Sequence, residues 1–170
     1  MLDTLPPASP EPLGGHIIAF GFDVGACRTG IAVGTRALSP RPLDVIQHGQ
    51  GGQPDWSRLD QLTQQWQPTA LIVGDPLTLD GNGQPARVRA HRFADALQRR
   101  YNRAVFCVDE RSSSVEAARA FAQARANGRR RRRDGQRLDA MAAAIILERW
   151  LIDPTQGIAL FQLQRGVHPD

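Results

Sequence analysis

The chain reads as an α/β domain, a five-stranded mixed sheet with helices on both faces. Three observations predict it: apolar β-branched runs that recur between helical periods, two such runs close enough to form a hairpin at the start, and a hydrophobic share of 41% in 170 residues, enough for one continuous core. The expected organisation is an N-terminal tail over residues 1–15, one domain over 16–152 and a C-terminal tail over 153–170. Four of the 12 prolines fall in the first 12 residues, where no apolar period or helix signal is present.

Residues 16–24 (HIIAFGFDV) form an apolar run ending in one carboxylate, the pattern of a strand covered on both faces. GACR is a turn, and TGIAVGT is a second strand positioned to pair with the first. LDVIQ at 43–47 makes a short third strand. Trp56, Leu59, Leu62 and Trp66 then recur at helical spacing, so both tryptophans are expected to pack. TALIVG at 69–74 is a fourth, buried strand, followed by the turn-rich DPLTLDGNGQP. Ala86, Ala90, Phe93, Ala94, Leu97 and Tyr101 mark a helix that covers the sheet, and AVFCV at 104–108 is the fifth strand. SSSVEAARAFAQARA carries the S-x-x-E capping pattern of a further helix. Five arginines, Arg129 to Arg133, separate it from a last, apolar helix, LDAMAAAIILERWL. The C-terminal IALFQL is either a short edge strand or a partner contact. No internal repeat is visible.

Composition narrows the function. The N-terminus is acidic and broken by proline, unlike a secretory signal, and no apolar run reaches membrane-spanning length, so a cytoplasmic protein without membrane attachment is expected. Cys27 and Cys107 form no CxxC or Cys/His cluster and read as reduced thiols, with Cys107 buried in a strand. The formal charge is +4, and all 21 basic residues are arginine, whose guanidinium fork suits phosphate. Nucleic acid is the favoured partner.

Asp23 is the most informative residue, the only charge in the run from Ile17 to Val24. An unpaired buried carboxylate costs several kcal/mol, so Asp23 must be paired, solvated at a cleft or bound to a cation. Capping of the GACR turn is the structural alternative. Glu110 follows a buried strand at the edge where α/β sheets place ligands, and Asp139 opens the last helix; for each, the structural alternative is favourable interaction with a helix dipole. Gly25 and Gly30 would tighten the hairpin turn and let backbone approach a phosphate. The arginine run repels itself and reads as a loop that neutralises phosphates without reading sequence. Of His16, His48, His91 and His168, none has ligand spacing; His48 alone is a candidate for proton transfer.

The segments DVGACRTGIAV, VGDPLTLDGNG, FCVDERSSSVEA and RLDAMAAAIIL together resemble the YqgF/RuvX-type proteins, described as Holliday junction resolvases and as pre-16S rRNA processing nucleases. The resemblance spans about residues 17–151 and implies an RNase H-like fold with Mg²⁺ or Mn²⁺, two ions, as cofactor. It carries Asp23, Glu110 and Asp139 over as the catalytic and metal-binding acids, and Arg28 and Arg111 as phosphate or structural partners. Arg129, Arg130, Arg131, Arg132 and Arg133 complete the expected substrate-binding set. The implied substrate is pre-rRNA or branched DNA, with ribosome-assembly intermediates as partners and a monomer or homodimer as the working unit. Hard oxygen ligands suit these ions, which can activate water and stabilise a leaving oxygen without a protein nucleophile.

Three departures from the family pattern stand out. Gly34-Thr35 replaces a common Ser-Asp, which keeps open a non-catalytic RNA-binding factor of ribosome assembly. Asp75 stands where many members have leucine and is either an additional metal ligand or a loop residue before Pro76. Ser112-Ser113-Ser114 replaces Leu-Thr-Thr and retains two hydroxyls. An actin-like ATPase also uses an Asp-x-Gly hairpin, but needs two such domains, for which 170 residues are too few.

Overall fold

The computed structural model describes residues 17–76, 84–109 and 132–159. Strands β1 (Ile18–Val24), β2 (Arg28–Thr35) and β3 (Arg41–Gln47) form an antiparallel meander. Helix α1 (Trp56–Trp66) leads to β4 (Ala70–Asp75), which pairs parallel with β1; helix α2 (Gln84–Tyr101) leads to β5 (Ala104–Asp109), parallel to β4. Helix α3 (Arg132–Ile152) and a short strand β6 (Gly157–Ala159) follow, giving the sheet order β3-β2-β1-β4-β5-β6. The expected mixed α/β sheet with helices on both faces is present.

The two faces of the sheet are packed differently, and the strand alternation explains why. Phe20, Phe22, Ile31, Val33, Leu71 and Val73 point to one side, where they meet Leu59 and Leu62 of α1 and Phe93, Ala94 and Leu97 of α2. The opposite face carries Ala19, Ala32, Ala70 and Ile72 and receives Ala143, Ile146, Leu147 and Trp150 of α3. Small side chains there let α3 lie close to the strands. At Gly21 a Cβ atom would stand 2.6 Å from the Ala143 carbonyl oxygen and 2.7 Å from Leu147 Cβ.

Local signals account for the element ends. Asp55 caps α1 by accepting a hydrogen bond from the Arg58 amide, and Gln67 ends it in the left-handed region at φ 50°. The hairpin between β1 and β2 closes through the Gly25 amide, which donates to the Arg28 carbonyl at 2.9 Å. Pro42 is tolerated in β3 because that strand lies at the sheet edge. Trp56 packs as expected, its ring stacked on Phe93 at 5.6 Å, and Trp66 is half-buried beneath Arg41.

Three expectations change. The sheet has six strands, because Gly157–Ala159 pairs antiparallel with β5 from within the expected C-terminal tail and covers what would have been an exposed edge. Gly157 permits this: a Cβ there would meet Trp150 Cδ1 at 2.8 Å. Helix α3 starts at Arg132, so the last two arginines of the basic run are its first residues and not part of a loop. Asp75 ends β4 instead of following it. The helix expected over SSSVEAARAFAQARA, and most of the loop after Pro76, lie outside the described residues.

The tight seat of α3 has a measurable consequence. Gly21→Ala should destabilise the fold by about 1–3 kcal/mol, the usual cost of overpacking. Thermal unfolding should show this as a fall in Tm of roughly 2–4 °C per kcal/mol.

Candidate active site

Asp23 is the penultimate residue of β1 and pairs directly across the hairpin with Gly30 of β2. Directly opposed residues share a face of the sheet, and alternation from Ala19 and Gly21 puts the Asp23 side chain on the α3 side. Gly30 is where the helix comes closest. A Cβ built there would stand 2.1 Å from the Asp139 carbonyl oxygen and 2.8 Å from the Ala140 amide nitrogen, so only glycine admits the backbone of α3. That contact brings Asp139 over the strand pair that carries Asp23. The expected turn or phosphate-approach role of Gly30 changes: it sits within β2 and its work is helix packing.

Asp139 is the eighth residue of α3, two turns from its start. Helix-dipole stabilisation fades within the first turn, so that explanation for an acid here no longer applies. Its carboxylate instead accepts a hydrogen bond from Arg28 Nε in an ion pair with side chains 37% and 29% exposed. Arg28, expected to contact phosphate or to serve structure, therefore holds one of the three predicted acids.

The remaining predicted residues divide by position. Glu110, Arg111, Arg129, Arg130 and Arg131 lie outside the described residues. Arg132 and Arg133 begin α3. The residue before Glu110, Asp109, closes β5 level with Asp75 of β4, at the same sheet edge as Asp23. Its backbone carbonyl accepts a 2.5 Å hydrogen bond from Arg149 Nη1 of α3, which ties the end of β5 to the same helix. No group of three acids, histidines or cysteines poised for a metal occurs among the described residues.

Asp75 is brought to this edge but turned away from Asp23. Phe22 pairs with Val73, so the register continues to Gly74 beside Asp23 and Asp75 beside Val24. Asp75 therefore leaves the opposite face, where it is 4% exposed and bonded by His91 Nε2 at 2.9 Å, with Arg87 Nε at 3.3 Å. Neither partner stands out in the sequence as a site residue. Their i, i+4 spacing on one helix, next to the buried period of Ala90, Phe93, Ala94 and Leu97, was the available signal.

His48 also lies on that second face, its Nε2 2.8 Å from the hydroxyl of fully buried Thr29. Its backbone amide donates to the Cys27 carbonyl at 2.9 Å, pinning the loop after β3 to the hairpin turn. Burial, opposed by a hydrogen bond from the ring to the Ala26 backbone carbonyl and reinforced by Arg89, holds the imidazole below its ordinary pKa of 6.5. Cys107 is buried in β5, its thiol pushed up to about 12 by burial and by Asp75, whereas Cys27 is exposed in the turn. Both are free thiols.

Residues 17–153 match the family described as RuvX, Holliday junction resolvase. The chain belongs to that family. Proteins named "Putative pre-16S rRNA nuclease" from Xanthomonas oryzae pv. oryzae and Xanthomonas euvesicatoria pv. vesicatoria are 56% identical over 142 residues, 82% of this chain and 90% of theirs. Among solved structures, Thermus thermophilus RuvC in complex with a Holliday junction substrate superposes with a TM-score of 0.51 at 17% identity, over 85% of this chain and 99% of that one. That likeness is one of fold, and it makes the RNase H-like architecture plain. No helix among the described residues is long and apolar enough to cross a membrane.

Because burial favours neutral His48 in the folded chain, the unfolded chain takes up the proton first as pH falls. The stabilisation is complete above pH 6.5, the ordinary value, and is lost as pH drops through the lower folded value. His48→Gln should remove this component, so the wild-type Tm should fall more steeply than the variant's below about pH 6.5 in thermal melts.

Proposed function

We propose that this member of the RuvX family is a metal-dependent nuclease that hydrolyses phosphodiester bonds of structured nucleic acid, acting in the cytoplasm on the 5′ end of pre-16S rRNA during ribosome biogenesis. One observation carries the reading. The α3 backbone rests on Gly30, and this sets Asp139 over the hairpin on the face that also bears Asp23. The 56% identical relatives bear the pre-16S rRNA nuclease name, which supports the choice of substrate.

The donor set suits Mg²⁺ or Mn²⁺. Carboxylates offer hard oxygens, and Asp23 and Asp139 present two of them from different elements on one side of the sheet. Glu110, next in sequence after the end of β5 at the same edge, is the third proposed ligand. Ions held there would supply activation of a water and stabilisation of the leaving oxygen. The chain's own groups do the rest. Arg28 balances the charge of Asp139, and a guanidinium has five donors, so those beyond the one given to Asp139 suit a substrate phosphate. Gly25 and Gly30 keep the hairpin tight and the helix close, fixing where the acids stand. The arginines at 129–133 supply sequence-indifferent attraction to the polynucleotide.

The family description names a second substrate, the Holliday junction, so the test must include it. Purified protein with Mg²⁺ or Mn²⁺ should cut a pre-16S 5′-end RNA, and Asp23→Asn should lower that rate by at least 10²-fold while leaving Tm nearly unchanged. Cleavage undiminished by the substitution would remove Asp23 from the chemistry. Preference for a four-way DNA junction would transfer the protein to recombination.

A further inference from the structure

Asp75 is buried at the edge that carries Asp23, yet on the other face of the sheet. Its level is one residue beyond Asp23, about 3.3 Å along the strand. A carboxylate in this position would be costly without cationic partners, and both of those recorded come from α2: His91 Nε2 at 2.9 Å and Arg87 Nε at 3.3 Å. Arg87 meets Asp75 Oδ1 through Nε in an ion pair without a hydrogen bond, and its side chain remains 39% exposed. His91 keeps a ring nitrogen and is 32% exposed. Neighbouring Arg89 stands within electrostatic range of His48, and its Nε, although buried, makes no hydrogen bond among the described residues.

Arg87 occupies an unfavourable place, in the first turn of α2, where the helix dipole is positive and no acidic residue offsets it. Asp75 compensates for part of this charge from the sheet. The remaining positive charge, on Arg87 and Arg89 beside the edge proposed for catalysis, suits an anionic ligand.

We propose that Asp75 is a positioning residue that holds Arg87 and His91 against the sheet edge, where they grip a backbone phosphate of the nucleic acid flanking the one to be cut. Asp139 with Arg28 serves one face of the edge; Asp75 with Arg87 and His91 serves the other. The polynucleotide is thus held from both sides of the sheet, and the α2 side contributes grip without chemistry. This inference rests on the reading of the protein as acting on nucleic acid, but not on cleavage.

Binding measured in EDTA separates the two. Fluorescence anisotropy with a labelled RNA hairpin, and with a DNA hairpin of the same sequence, is followed from 50 to 200 mM salt. Arg87→Ala should weaken both complexes roughly tenfold and flatten the slope of log affinity against log salt by about 0.7–0.9, the loss of one phosphate contact. His91→Ala should weaken both severalfold. Arg99→Ala, in the last turn of α2 and paired with Asp95, should match wild type. In cleavage assays Arg87→Ala should raise KM and leave kcat within about twofold. Asp75→Asn should reproduce the Arg87→Ala slope; since it also removes a buried charge, Arg87→Ala remains the deciding variant. A slope for Arg87→Ala equal to that of Arg99→Ala, even with a lower Tm, would reduce the cluster to a structural ion pair and overturn the proposal. Loss confined to RNA would overturn the phosphate assignment. If wild type cuts nothing while the slope still changes, the nuclease reading falls and this one stands.

Discussion

The close seating of α3 on the β1–β2 hairpin is the constraint on which the rest depends. Gly21 and Gly30 lie on one face of adjacent strands, and at both the helix occupies the space a Cβ would need. Ala19 and Ala32 continue the shallow surface. The helix answers with Ala140, Ala142 and Ala143, all buried, so two smooth surfaces meet with little between them. Such an interface transmits position with little slack, since packed interiors do not deform continuously. An aspartate two turns into that helix is consequently placed with the accuracy of a core residue, although its carboxylate is 29% exposed.

The opposite face is organised on other terms. Large side chains, among them Phe20, Phe22, Ile31 and Leu71, fill a thicker layer beneath α1 and α2. Its polar groups gather where that layer reaches the sheet edge, with Thr29 on His48 and Asp75 on His91 and Arg87. One edge thereby presents two acid–arginine pairs, one on each side of the sheet. Strand alternation separates them: Asp23 and Asp75 stand one residue out of step across β1 and β4, and a single step changes the face. This offset is why Asp75, despite ending the strand next to Asp23, falls among α2 side chains and not with Asp139.

Much of the fold was legible because its signals are local. The period of Trp56, Leu59, Leu62 and Trp66 defined α1 to the residue, and the run ending at Asp23 defined β1. Signals failed where the deciding contact was distant. The edge-strand alternative for IALFQL is realised at its start, where Gly157–Ala159 pairs with β5, and three residues carry too little periodicity to have decided it against a partner contact. The arginines at 132 and 133 looked like loop by mutual repulsion, yet they extend a helix whose stability comes from burial farther along. His91 had no ligand spacing in sequence because its partner, Asp75, is 16 residues away on another element.

By itself the sequence determined the α/β class, the family, the acid at the end of the first strand and the arginine-only positive charge, since composition, period and motif are properties of neighbouring residues. Only the tertiary structure decided which of those residues share a face. It set Asp139 over Gly30 beside Asp23, gave Arg28 to Asp139, and turned Asp75 toward α2. The physical reason is that register and close approach are fixed by which strand lies beside which and by how near a helix can come. Both depend on residues far apart in the chain.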